Sequence, residues 1–213
     1  MNYLELPCYT KTQLKIIDTA EHLFACHGIH STTLRMITSA AKVNLAAVNY
    51  HFGNKEKLIQ AVLLRNLIPL NNERQQQLDR VLHEAEIKCQ PANTKQILHS
   101  FIMPTILFAR RNVACKDFMT IVATLMINPN NEFRQLFNSL MTPLLNQLVQ
   151  ALSATLPNIS PSTLNLRLQF TIGAMIFSMR EIDIPLTDQH LDTDINLLIT
   201  EITSFASTGM EQP

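Results

Sequence analysis

Apolar residues recur at helical spacing along most of the chain, and polar breaks divide them into segments. Between Lys11 and His27, Leu14, Ile17, Ala20 and Phe24 line one face and Leu23 widens it. Thr10 can cap that helix, and Gly28-Ile29 is a stop. Leu34, Ile37 and Ala41 then form a short apolar face, and after Lys42-Val43-Asn44 the spacing restarts with Leu45, Val48 and Phe52. Asn44 suits the N-cap of this second short helix, since its side chain can accept from the free N–H groups of the first turn. Two such helices joined by a tight turn predict a helix-turn-helix, with Ala40, Ala41, Ala46 and Ala47 small enough for a close crossing.

Gly53-Asn54 breaks the chain, with Asn54 as cap of a fourth helix starting at Lys55 and carrying Leu58, Ala61, Val62 and Arg65. Pro69 is expected to kink or end it. The polar run 71–80, NNERQQQLDR, reads as a solvated helical face, and residues 91–94 read as a loop opening the central body. Residues 97–131 are sparsely charged, carry Pro104 inside a helical pattern and are closed by Pro129. A further helix holds Phe133, Phe137, Met141 and Leu144-Leu145, interrupted by Pro143. Ser160-Pro161 starts the next one, Ser as cap and Pro at the first position. Its stripes Leu164, Leu168, Met175 and Leu166, Phe170, Gly173, Phe177 lie on opposite sides, so both sides require burial. Asp192 or Thr193 begins the last helix, where Ile195, Leu198, Ile202 and Phe205 keep helical spacing.

Composition agrees with this helical reading. Of 213 residues 46% are hydrophobic, enough for a sizeable core, and only four are glycine, which argues for few turns. The expected class is all-α, with a three-helix unit in residues 1–54 and a helical body in residues 55–213. No apolar run reaches membrane-spanning length and no signal peptide is seen at the N-terminus, so a cytoplasmic location without membrane attachment is expected. Cys8, Cys26, Cys89 and Cys115 are scattered, as reduced thiols are. His22, Cys26 and His30 lie four apart, but Gly28 takes His30 out of line, so no metal site and no cofactor are expected. Net charge is zero but unevenly placed. Residues 1–65 hold seven cations against four carboxylates, a net +3 balanced by −3 in the remainder. A basic end on an acidic body is the footprint of DNA binding at that end.

Outside its apolar core the helix-turn-helix presents Thr32, Thr33, Arg35, Asn44, Asn49, Tyr50, His51, Asn54 and Lys55, with no carboxylate before Glu56. Donors and cations suit phosphate oxygens, and Asn and alanine methyls suit base edges. Spacing alone leaves a structural helical hairpin open as well. The segment Val43 to Lys57, with Tyr50-His51-Phe52-Gly53 followed by Lys55-Glu56-Lys57-Leu58, resembles the DNA-binding signature of TetR-family transcriptional regulators. Arg35 to Ala40, continuing through Asn44 to Phe52, more narrowly resembles PsrA-type, fatty-acid-responsive members. The likeness covers about the first sixty-five residues. It implies that Leu45, Ala46, Ala47 and Asn49 face base edges of a double-stranded operator while Thr33, Tyr50, His51 and Lys55 hold phosphates. Lys42 departs from it, standing where the family often has Gly; with φ > 0 there, Lys would cost about 1 kcal/mol.

For the body, Phe101, Met103, Phe108, Phe118, Met119, Phe137, Met141 and Phe170, near proline-interrupted helices, can surround an adaptable apolar cavity or form a plain core. Arg110 and Arg167 are the candidates to meet the carboxylate of a small hydrophobic effector, a long-chain fatty acid or acyl-CoA on the narrower resemblance. Leu166, Phe170, Gly173 and Phe177, with Ile195, Leu198 and Ile202, are expected to pair with a second copy in a homodimer, as the TetR resemblance also implies. The expected function is a ligand-responsive repressor. The alternatives are a regulator of a multidrug-efflux gene and a helical lipid-binding protein without a DNA role. An enzyme ranks below these, because His99, Arg110, Asp117 and Arg180 stand as isolated polar residues and no catalytic motif stands out.

Overall fold

A computed structural model of the chain describes residues 5, 7–127, 133–179 and 194–212. Its elements are all helices: α1 (Lys11–His27), α2 (Leu34–Ala41), α3 (Leu45–Phe52), α4 (Lys55–Ile87), α5 (Thr94–Arg111), α6 (Val113–Ile127), α7 (Phe133–Thr155), α8 (Pro161–Met179) and α9 (Ile195–Glu211). They fall into two compact units. One comprises residues up to Leu70 with Ala109–Met141, and the other Asn71–Phe108 with residues from Thr142 onward.

In the first unit α1 packs on α2 and on α6, and α2 packs on α3. The caps explain where these short helices begin. Thr10 and Gln13 form a capping box at α1, each satisfying an N–H that the helix cannot. Gly28 ends α1 at φ 81° and donates its N–H to the Phe24 carbonyl. Ile16, Ile17, Ala20 and Phe24 are buried, together with Ile37, Ala41, Val48 and Phe52 of the two short helices. Ile16 thus takes the inward place expected for Leu14, which is half-exposed. Of the four alanines expected at the crossing only Ala41 is buried; Ala40 and Ala46 face outward and Ala47 is half-buried.

A buried polar network ties α1 to α4 in the same unit. Glu21, 1% exposed, accepts from Arg65 Nη2 and from Asn66 Nδ2, both at 2.7 Å, while Arg65 also pairs with Asp18. Burial pushes the Glu21 carboxyl above its ordinary range, with Arg65 and Asn66 opposing that shift and Asp18 adding to it. Its Oε1 atom is buried without a hydrogen-bond partner among the described residues.

Prolines proved less disruptive than their sequence context suggests. Pro69, Pro104 and Pro143 all lie inside continuous helices, so α4 does not end at Pro69 and α7 is not divided at Pro143. Each removes one rung of the ladder, and long helices anchored by buried residues on both sides tolerate that loss. The break that periodicity overlooked falls at Asn112, whose side chain accepts from Cys115 N at 2.9 Å and caps α6. Pro129 and the helix-start candidates Asp192 and Thr193 lie outside the described residues; α9 is capped by Asp194, which accepts from Asn196 N at 3.0 Å.

In the second unit α8 packs on α9. Ser160 caps α8 through Thr163 N at 3.1 Å with Pro161 in first position, as its sequence indicates. Among the described residues no helix is long and apolar enough to cross a membrane.

Candidate nucleic-acid interface

The turn between α2 and α3 is set by backbone geometry that the sequence supports unevenly. Thr33 caps α2, accepting from Met36 N at 3.2 Å, and Asn44 caps α3, accepting from Ala47 N at 2.7 Å. Lys42 adopts the left-handed conformation at φ 51°, ψ 48°, where glycine would be unstrained. Gly53 closes α3 at φ 77° and Asn54 opens α4, accepting from Lys57 N at 2.9 Å.

These caps leave α3 with one face in the core, through Val48 and Phe52, and the other in solvent. Asn49 and Ala46 are exposed, Leu45 is 50% and Tyr50 86% exposed, and His51 lies edge-on to Tyr50 with ring centres 5.2 Å apart. Half-buried Ala47 sits at the margin of that face. Thr33, Arg35, Asn44 and Asn54 are exposed beside it, and Lys55 Nζ donates to the His30 carbonyl at 3.3 Å. A tyrosine ring this exposed is no part of the core. The face supplies hydroxyl, amide, imidazole and ammonium donors without a carboxylate among them, a chemistry suited to phosphates and base edges.

Thr32 departs from the expected surface. It is fully buried, its hydroxyl 2.9 Å from the Gly28 carbonyl and 3.1 Å from that of Leu23, where it closes the link between α1 and α2. A hydroxyl immediately after a helix stop can satisfy the orphan carbonyls there, and that local demand overrides its polarity.

The residues named for an effector cavity divide between the units. Phe118, Met119, Phe137 and Met141 are buried in the first, where Arg110 is exposed. Phe101 and Phe108 are buried in the second, where Met103 is half-buried and Phe170 is 64% exposed on α8. Arg167 fastens α8 to the end of α9, Nη1 donating to the carbonyls of Met210 at 2.9 Å and Gln212 at 2.6 Å. Two of its partners are therefore main-chain carbonyls at the end of α9.

A different arginine occupies the interior of that unit. Arg74 is 4% exposed; Nε and Nη2 donate to Thr105 Oγ1 at 3.0 and 2.8 Å, and Nη1 to Asn71 Oδ1 at 2.8 Å. The run 71–80 is therefore not a solvated face: Asn71, Arg74 and Leu78 are buried, and Gln75 reaches Gln147 at 2.6 Å. The signal was present in the spacing, since 71, 74 and 78 continue the stripe of Leu67 and Leu70 at three- and four-residue steps.

On the outer side of α8, Leu166 (49%), Phe170 (64%) and Phe177 (49%) stand exposed in one stripe with Gly173, where an added Cβ would meet no atom within 4 Å. On α9, Ile195 and Leu198 are half-buried and Ile202 is buried, so Ile202 serves the inner packing. Leu197 (52%) and Phe205 (73%) are the large apolar residues that α9 turns outward.

The remaining polar candidates are accounted for more simply. Asp117 is not isolated: its Oδ2 lies 2.8 Å from His22 Nδ1. His99 lies at the surface, where partial burial and nearby Lys95 lower its pKa, and Arg180 lies outside the described residues. His22 and Cys26 approach to 3.7 Å, but among the described residues no group of three or more His, Cys, Asp or Glu side chains could hold a metal. Cys8, Cys26, Cys89 and Cys115 are free thiols.

Comparison with known proteins gives this geometry its context. The family "Bacterial regulatory proteins, tetR family" matches residues 16–62, and "Tetracyclin repressor-like, C-terminal domain" matches residues 99–209, just over half of the chain. The probable acrEF/envCD operon repressor of Escherichia coli (strain K12) is 42% identical over 55 residues, 26% of this chain and 25% of its own length. The chain therefore aligns with only about a quarter of that relative. Ketosteroid transcriptional regulator KstR2 of Mycobacterium tuberculosis shares the fold with TM-score 0.67 at 14% identity, over 96% of this chain and 98% of its own. The fatty acid degradation regulator FadR of Bacillus halodurans does so with TM-score 0.61 at 16% identity, over 97% and 100%. With both of its family regions matched and the helix-turn-helix in place between α2 and α3, the chain belongs to the TetR family of transcriptional regulators.

Proposed function

We propose that this protein is a ligand-responsive transcriptional repressor that binds a near-palindromic operator as a homodimer and is released by a small hydrophobic effector. The observation that carries the DNA half is the solvent face of α3, where Leu45, Asn49 and Tyr50 stand exposed within a capped helix whose other face is core. In this reading residues 1–54 read DNA and residues 55–213 bind effector and partner. Leu45, Ala46, Ala47 and Asn49 meet base edges, while Thr33, Tyr50, His51 and Lys55 hold phosphates. The exposed stripe of α8, joined by Leu197 and Phe205 of α9, meets its copy in the partner. A two-fold dimer places its half-sites about one helical turn or slightly more apart. A cytoplasmic location follows from access to the chromosome.

A long-chain fatty acid or its acyl-CoA is the proposed effector, on the Phe- and Met-rich body and the PsrA-like α2–α3 sequence. Binding releases DNA only if the ligand prefers the arrangement in which the recognition helices no longer match the operator. A hundredfold loss of operator affinity needs about 2.7 kcal/mol of such coupling. The 42% identity of the DNA-binding segment to the acrEF/envCD operon repressor favours a second reading, a regulator of a multidrug-efflux gene. Operator affinity measured with oleate, oleoyl-CoA and a cationic aromatic drug separates the two. Release by either acyl compound is expected; release by the drug alone selects the efflux regulator. A gel shift with genomic against random DNA tests the DNA role itself, and equal, weak binding to both would leave a helical lipid-binding protein.

A further inference from the structure

Cys8, Cys26 and Cys89 are all exposed thiols, and among the described residues Cys26 is the one with a histidine within hydrogen-bonding distance. It lies one turn beyond His22 on α1, and residues four apart share a helix face. Its Sγ is 3.7 Å from Nε2 of that ring and 4.0 Å from Nδ1. The ring is held in turn from another element, because Asp117 Oδ2 on α6 lies 2.8 Å from Nδ1. A carboxylate only accepts, so the nitrogen facing it carries the hydrogen. In the neutral ring that leaves the lone pair on Nε2, the nitrogen nearer to the sulfur. The Asp117 side chain is 19% exposed and that of His22 61%, so the carboxylate is sheltered while ring and thiol are open to a reagent.

A thiol and a histidine alone would make a solvated helix face. The third member changes the chemistry, because a base oriented by another group is the arrangement that takes a proton from a nucleophile. The thiolate is the reactive form of cysteine, and a base beside it supplies that form as the reaction proceeds. A soft carbon electrophile with a C=C bond conjugated to a carbonyl matches these parts. His22 Nε2 takes the S–H proton as the sulfur bonds to the β carbon. The π pair of the C=C bond moves to the α carbon, which then receives the proton back from the ring. Atoms and electrons balance without a further reactant, and the product is a thioether. A disulfide would need a second thiol joined to Cys26, and all four cysteines are free.

We propose that Cys26, with His22 as its base and Asp117 positioning that base, is a covalent sensing site for α,β-unsaturated carbonyl electrophiles, and that its alkylation weakens operator binding. The reactivity stands apart from the function proposed above; its effect on the operator rests on the DNA-binding half of that reading. The link is α1, whose inner residues Ile17, Ala20 and Phe24 are buried and which packs on α2 of the helix-turn-helix and on α6. The contact of His22 with Asp117 is a polar tie between α1 and α6, and a thioether at Cys26 adds bulk against the ring that makes it. All three residues belong to the unit that carries α2 and α3, so this input acts without an effector in the second unit.

The test treats the full-length protein at pH 7 with limiting acrolein or N-ethylmaleimide and quantifies the adduct at each cysteine by mass spectrometry, with exposed Cys8 and Cys89 as internal references. Cys26 should be alkylated about tenfold faster or more than either reference. His22→Gln should bring Cys26 down to their rate. Asp117→Ala should slow it similarly, and Asp117→Asn, whose carbonyl still accepts the Nδ1–H, should recover most of the loss. Spectra of ¹⁵N-histidine-labelled protein should show neutral His22 protonated on Nδ1 in the parent and on Nε2 in Asp117→Ala, a change that a purely structural contact does not predict. Operator affinity should fall about tenfold or more on alkylation of the parent and hold in Cys26→Ser treated alike. Equal rates at the three cysteines, a Cys26 rate unchanged in His22→Gln, or a parent His22 protonated on Nε2 overturns the site. Fast alkylation of Cys26 with operator affinity intact overturns the sensing role. A parent that binds no operator before treatment fells the DNA-binding reading instead, and the contrast in alkylation rates still decides the site.

Discussion

The surface around α3 and the run beginning at Asn71 are both rich in Asn, Arg and other polar side chains, and the protein uses them in opposite ways. On α3 the apolar positions Val48 and Phe52 claim one face, and Asn49 and Tyr50 are left in solvent. On α4 the inward stripe is itself polar at Asn71 and Arg74, and α5 answers with Thr105 and the Phe101 ring. Polarity alone does not decide exposure; position on the stripe and an available partner do. An enclosed polar stripe is fixed by its own chain, and an exposed one is left to solvent.

The apolar counterpart of this contrast has the largest expected consequence. The α8 stripe of Leu166, Phe170 and Phe177 is exposed around Gly173, whose Cβ direction is open, so Gly173→Leu should fold as a subunit yet crowd the pairing with a second copy. Sedimentation at micromolar concentration should show the parent as a dimer and the variant largely as a monomer, with operator binding lost in parallel. A monomeric parent that still binds operator tightly would rule out the dimer.

Enclosed and free polar groups should next separate in stability. Thr105→Val removes the acceptor of two guanidinium donors, and leaving buried donors unmet is expected to destabilise by about 1–3 kcal/mol in urea unfolding. Arg35→Ala, on the exposed face, should stay within about 0.5 kcal/mol of the parent. Conversely Asn49→Ala should leave stability unchanged but alter the preferred base at one position by about 1–3 kcal/mol, read by binding to a set of operator variants.

The smallest effect belongs to Glu21. Its folded pKa is raised by burial, so its contribution to stability is full below the unfolded carboxyl pKa and is lost as pH rises through the folded value. Glu21→Gln abolishes that titration, so its melting temperature relative to the parent should become more favourable from pH 4 to pH 8. An unchanged difference across that range would show that Arg65 and Asn66 fully offset the burial.

Much of this architecture could be read in advance because it rests on local rules. Thr10, Thr33, Asn44, Asn54 and Ser160 each cap a helix through their own side chains, and Gly28 and Gly53 sit where positive φ is needed. The polar face of α3 was legible for the same reason, being what remains once a short core stripe is assigned. Thr32, Ile202 and Arg74 were not, because each is placed by a partner distant in sequence or by a helix end: the α1 carbonyls, inner packing on α9 and Thr105 on α5. Pro69 and Pro143 misled for a related reason, since packing on both sides holds a helix together across one missing rung.

The central claim is that the solvent face of α3 and the start of α4 form the DNA contact. It is tested most directly by operator affinity of Tyr50→Ala and Lys55→Ala, on a sequence selected from genomic DNA by the parent, with folding checked by circular dichroism. Both variants should bind every sequence more weakly, and Lys55→Ala should flatten the salt dependence by about one unit of slope. Parent-like affinity in two normally folded variants would contradict the account.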